Sequence, residues 1–123
     1  MMDDQELLEL AAKANNSPNI KLENFGAWFD DERERYWNPL VNDGDALRLA
    51  VKLKLAIFPP EGDDGDFAVA SVPEGVLDDF GETWFQENVK DGDELAATRR
   101  AIVCAAAEIG KAKINDLTPG DEK

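Results

Sequence analysis

The stretch Asp91-Gly92-Asp93-Glu94-Leu95-Ala96-Ala97-Thr98-Arg99-Arg100-Ala101-Ile102-Val103-Cys104-Ala105-Ala106-Ala107-Glu108-Ile109-Gly110 is the clearest element of the chain. Asp91 with Glu94 three residues later matches the relaxed capping-box pattern, and Leu95, Ile102, Val103, Ala106 and Ile109 follow at helical spacing. The pattern predicts a helix that continues to Gly110. Ala101, Ala105 and Ala107 make its sides narrow, so another element can approach closely. Upstream lie two short apolar runs, Leu55-Ala56-Ile57-Phe58 closed by Pro59-Pro60 and Phe67-Ala68-Val69-Ala70-Ser71-Val72 closed by Pro73. The loop Glu61-Gly62-Asp63-Asp64-Gly65-Asp66 between them is too polar and glycine-rich for regular structure, and the two runs read as an antiparallel pair.

Working outward, Leu7, Leu8, Ala11, Ala12 and Ala14 form one helical stripe, with Asp3, Asp4 and Glu6 at its positive end and Asn15-Asn16-Ser17-Pro18 as its stop. Ile20, Leu22, Phe25, Ala27 and Phe29 come close to alternation and are interrupted by Gly26, which suggests a strand or two with a bulge. The charged run Asp30-Asp31-Glu32-Arg33-Glu34-Arg35 reads as a hairpin turn. Trp37 to Asp45 is turn-rich, and Asp43 and Asp45 are candidate caps for a second helix. Its expected buried stripe is Ala46, Leu47, Ala50, Val51 and Leu53, with Arg48, Lys52 and Lys54 outward and an end by Lys54 or Leu55. Residues 73–92 are expected to be an irregular insertion, with Val76, Leu77, Phe80, Trp84, Phe85 and Val89 spaced loosely like a helix but broken at Gly81. Residues 115–123 are expected to form a mobile tail. The whole predicts one α+β domain over residues 1–114: a small, mostly antiparallel sheet with helices packed on it, sandwich-like, in the order α-β-β-α-β-β-α.

Composition bounds the function. The chain has 123 residues, 43% apolar and 33% charged, which suits one folded domain with one core. No run approaches the roughly 18 apolar residues of a membrane span, and Met1-Met2-Asp3-Asp4 lacks the basic and apolar start of a secretory signal, so a cytoplasmic location is expected. Cys104 is the only cysteine and histidine is absent, which removes an internal disulfide, the usual zinc ligands, and Ser-His or Cys-His catalysis. Net charge is −14, from 27 acidic against 13 basic side chains. Phosphate contact needs Lys and Arg, so direct nucleic-acid binding is not expected. The acidity serves solubility or offers a docking surface to a basic partner.

Three strings stand out in order: Trp37-Asn38-Pro39-Leu40; Asp43-Gly44-Asp45-Ala46-Leu47-Arg48-Leu49-Ala50-Val51-Lys52-Leu53; and Ala97-Thr98-Arg99-Arg100-Ala101-Ile102-Val103 with Ala105-Ala106-Ala107-Glu108-Ile109-Gly110. With the opening helix they resemble the small proteins of tailed phages and prophages that carry the phage ABA-sandwich domain. The resemblance covers about half of the chain and leaves residues 59–92 outside it. It implies a sheet between helices and a phage origin, and it transfers no catalytic residues. Turn and cap roles explain the Trp37 to Asp45 segment physically, and pairing with nearby carboxylates is the expected use of Arg99 and Arg100.

The triplet Asp-Gly-Asp recurs at Asp43, Asp64 and Asp91, but none of these loops has the ligand spacing of an EF-hand. An incidental divalent site would fall at Asp63, Asp64 and Asp66. No pattern marks a catalytic carboxylate pair, and Cys104 among Val103, Ala105 and Ala106 reads as a small apolar spectator. A non-enzymatic protein without cofactor or metal is therefore expected. Its expected role is to bind a host or phage protein through Asp30, Asp31, Glu32 and Glu34, with Trp84 and Phe85 as an aromatic anchor. The alternatives are an acidic DNA mimic that inhibits a host nucleic-acid-binding defence protein, and a carboxylate-metal enzyme.

Overall fold

The computed structural model describes residues 3–23, 26–61 and 66–116. The elements are α1 (Asp4–Asn15), β1 (Ile20–Leu22), β2 (Trp28–Asp30), β3 (Arg35–Trp37), α2 (Asp43–Leu53), β4 (Ala56–Phe58), β5 (Phe67–Val72), β6 (Thr83–Asn88) and α3 (Glu94–Asp116). The α+β class and the packing of helices on small antiparallel sheets agree with the sequence reading. The strands form two three-stranded sheets, β1-β2-β3 and β4-β5-β6, each antiparallel throughout.

The long helix α3 is the central element. Ala97, Ala101, Ile102, Val103, Ala105, Ala106, Ala107, Ile109 and Gly110 are all buried, so this helix is covered on nearly every side. One side takes α1, another α2, and a third takes the inner face of β4-β5-β6, where Ala68, Ala70 and Val72 are fully buried. Alanine against alanine lets backbone approach backbone. The closest approach is at Gly110, where an added Cβ would overlap the carbonyl oxygen of Leu10 and lie 2.8 Å from its carbonyl carbon. Gly110 is thus a crossing point of α1 and α3, and the helix runs on past it to Asp116.

The helix ends follow side-chain chemistry. Asp3 and Glu6 make a reciprocal capping box on α1, and Asn16 closes it at φ 53°. Asn42, not Asp43 or Asp45, caps α2 by accepting the N–H of Asp45 at 2.9 Å. Asp93 caps α3 by accepting the N–H of Ala96 at 2.9 Å, while Asp91 and Gly92 take positive φ in the turn before it. The cap therefore lies two residues beyond the Asp91 expected from the motif.

Two stretches differ from expectation. Residues 83–88, read as part of an irregular insertion, form β6 and pair along their full length with β5. The helix-like spacing of Trp84, Phe85 and Val89 misled because exposure here alternates with period two, Phe85 turning inward and Trp84 outward. In α2 the buried side is Asp45, Ala46, Leu49 and Ala50, so Leu47 and Val51 face outward instead of joining the core. The expected 115–123 tail starts inside α3, which continues to Asp116, and residues 117–123 lie outside the described residues.

Candidate functional site

The acidic run comes first because sequence singled it out. Asp30 ends β2 and is buried, with Oδ1 accepting the backbone N–H of Glu32 and Arg33 and Oδ2 accepting the Arg33 guanidinium at 3.2 Å. Burial disfavours its charge, but the backbone and side-chain hydrogen bonds of Arg33 and the N–H of Glu32 outweigh that and hold its carboxyl below the usual carboxylate range. Asp30 braces the turn from a buried position. Asp31 pairs with Lys21 at 2.9 Å, and Glu32 accepts from the Asn19 amide at 3.4 Å. Glu34 takes φ 58° as the last turn residue before β3. Three of the four predicted acids are thus engaged locally.

Asp45, expected as a cap, is instead a buried hub with 1% exposure. Its oxygens accept from Arg35 at 2.9 Å, Arg48 at 2.8 Å and the backbone N–H of Asn38 at 2.9 Å. One carboxylate so ties β3, the Asn38-Pro39 turn and α2 together, with every oxygen occupied. Arg99 and Arg100 use carboxylates as expected: Arg99 donates to Asp43 at 2.7 Å and to the Leu40 carbonyl, and Arg100 to Asp4 at 2.9 Å. All five arginines of the chain are in ion pairs.

Cys104 is half-buried on α3, and its thiol donates to Glu87 at 3.4 Å. Burial, then the charge and hydrogen bond of Glu87, push the thiol up to about 12. Among the described residues no group of three or more acidic or cysteine side chains is placed to hold a metal ion. Asp63 and Asp64 of the suggested divalent site lie outside the described residues.

The remaining sequence candidates sit on β6. Phe85 points inward and packs on the core, whereas Trp84 is 59% exposed on the outer face of the sheet. Register explains its neighbours. Trp84 lies opposite Ser71, Ser71 opposite Ala56, and Phe58 opposite Val69, so Phe58, Val69, Trp84 and Phe67 share the outer face. The Trp84 and Phe58 rings stack at 5.5 Å with an interplanar angle of 11°. The Trp84 indole N–H donates to Glu82 at 3.2 Å, which fixes the ring, and Ser71 reaches the same carboxylate at 3.5 Å. A groove of about 370 Å³ opens beside the stack, lined by Phe58, Pro59, Phe67, Val69 and Trp84 with the carboxylates Glu61 and Asp66. On the turn before β6, Phe80 is 93% exposed.

The charge around this groove is lopsided. Residues 59–94 contain twelve of the 27 acidic side chains but only one base, Lys90. Sequence reasoning found Trp84 but missed Phe58 and Phe67 as its companions. The signal was the period-two contrast in β5, with Ala68, Ala70 and Val72 on one side and Phe67, Val69 and Ser71 on the other.

The fold and this face define an acidic α+β domain with an aromatic, acid-lined surface groove. No protein-family model, curated protein or solved structure matches the chain.

Proposed function

We propose that this chain is a non-enzymatic accessory protein of phage or prophage type that acts in the cytoplasm by binding a basic protein partner at the outer face of β4-β5-β6. The observation that carries the reading is the stacked Phe58 and Trp84 pair, exposed beside a groove lined by Glu61 and Asp66. Exposed aromatic groups of this kind serve as anchors for partners, and surrounding acids favour a partner with an apolar anchor residue flanked by Lys or Arg. The phage origin rests on the resemblance of the strings at Trp37 to Leu53 and Ala97 to Gly110. No described helix is long and apolar enough to cross a membrane, which is compatible with the cytoplasmic reading.

The acidic contact is thereby moved from Asp30–Glu34, where local bonds engage three of the four acids, to the segment around β5 and β6. The DNA-mimic alternative draws on the same acids. An aromatic groove at their centre has no counterpart on a phosphate backbone, so a protein surface fits it better. Selection from a displayed library of random peptides tests the reading. Enriched peptides should combine a large apolar residue with Lys or Arg, quench or shift tryptophan fluorescence, and lose at least tenfold in affinity with Trp84→Ala, as expected for an anchor worth about 2 kcal/mol. Selected peptides that bind Trp84→Ala as well as the parent chain would overturn it.

A further inference from the structure

The outward side of α2 presents an order of residues that matches itself in reverse. Asp43, Leu47 and Val51, each four residues apart, lie within one stripe about 80° wide, and Lys54, the left-handed C-cap, follows at the end of the helix. Leu47 and Val51 are 63% and 65% exposed, although both are aliphatic and adjacent on the helix. The stripe therefore runs acid, apolar, apolar, base, and its centre is position 49. We propose that this stripe is a self-association surface on which a second copy of the chain docks with its α2 antiparallel. A two-fold axis beside position 49 sets Leu47 against the partner's Val51 and Val51 against the partner's Leu47. The same axis brings Asp43 towards the partner's Lys54, and it opposes the two helix dipoles.

Two further observations favour a second copy as the occupant. Arg99 of α3 donates to Asp43 and to the Leu40 carbonyl, so the first turn of α3 lies beside the start of α2. That turn carries Leu95, and Val41 precedes the helix; both are highly exposed aliphatic side chains. Charge is the second point. From Asp43 to Lys54 there are three bases and two acids, whereas the chain as a whole carries −14. Two strongly acidic molecules meet with least repulsion where the surface is locally basic. Asp43 keeps 63% of its side-chain surface exposed while holding Arg99, which leaves it open to a second cation. An α2 of 11 residues spans about 16 Å, so the dimer is a weak one.

Sedimentation equilibrium tests this from about 20 µM to 1 mM protein in about 0.3 M NaCl, where self-repulsion is screened. The expected result is a mass that rises towards two copies, and Leu47→Glu or Val51→Glu chains that remain monomeric with an unchanged circular dichroism spectrum. Leu47→Gln serves where the added charge disturbs the fold. Lys54→Glu should weaken association about tenfold, while Lys52→Glu, the same charge change off the stripe, leaves it within about threefold. Trp84→Ala should not alter the mass, which separates this surface from the sheet face. A monomer at every concentration, a dimer that survives Leu47→Glu, or equal weakening by Lys52→Glu and Lys54→Glu would each overturn the proposal.

Discussion

At the residue scale, the two buried carboxylates show how an acidic protein keeps charge inside. Asp30 and Asp45 are both almost wholly buried, and each is surrounded by donors: three for Asp30, and Arg35, Arg48 and the Asn38 N–H for Asp45. A buried ion is tolerable only when its lone pairs are so used. Cys104 is the opposite case, a group kept neutral. Its thiol faces the Glu87 carboxylate in a half-buried site, and ionisation would place two negative charges side by side. At pH 8 the native thiol should therefore react with an aromatic disulfide reagent about 1,000-fold more slowly than the same thiol in the urea-unfolded chain. The sign for stability follows from the raised value. The neutral thiol contributes fully below the unfolded pKa of 9.0, and the contribution is lost as pH rises towards about 12. Native and unfolded rates within tenfold of each other would contradict this account.

At the element scale, the phase of each helix and strand decided which side chains became surface. For α2 the apolar spacing admits two phases, one burying Leu47 and Val51 and one burying Leu49. The observed phase buries Leu49 with Ala46 and Ala50 and carries Asp45 inward to Arg35 and the Asn38 N–H, which occupy its carboxylate. The strand β6 lies in the most acidic part of the chain, and its pairing with β5 supplies the backbone hydrogen bonds that a propensity reading of residues 83–88 undervalued. The crossing of α1 and α3 depends on a single missing side chain. Gly110→Ala should destabilise the fold by about 2 kcal/mol or more, since a Cβ there meets backbone of α1 and not a side chain that can turn aside. Urea denaturation would show it, and a midpoint equal to or above that of the parent would refute the close-approach explanation.

At the scale of the whole molecule, self-repulsion is the dominant long-range term. Net charge is −14 on 123 residues, and the acids of residues 59–94 are nearly without bases. Salt should therefore stabilise the fold, because screening of this repulsion outweighs the small loss from exposed ion pairs such as Lys21 with Asp31. Between about 10 mM and 300 mM NaCl the melting temperature of the Leu47→Glu chain, used so that association does not contribute, should rise by about 2–5 °C. A falling melting temperature would show that local pairs matter more than net charge.

The sequence alone determined the class, the three helices, both ends of α1 and the end of α2. These depend on local rules, apolar spacing in α1 and α3 and short polar side chains at turns, and local rules are written in neighbouring residues. It also removed histidine chemistry and a disulfide within these 123 residues, since they hold no histidine and a single cysteine. Tertiary structure alone decided the rest. Strand register joined Phe58, Phe67 and Trp84 into one face from positions 26 residues apart, the phase of α2 that buried Leu49 and Asp45 left Leu47 and Val51 at the surface, and Lys21 and Asn19 engaged Asp31 and Glu32 across the sheet. Each of these is set by contacts between residues distant in the chain. A pattern in one short window cannot contain them.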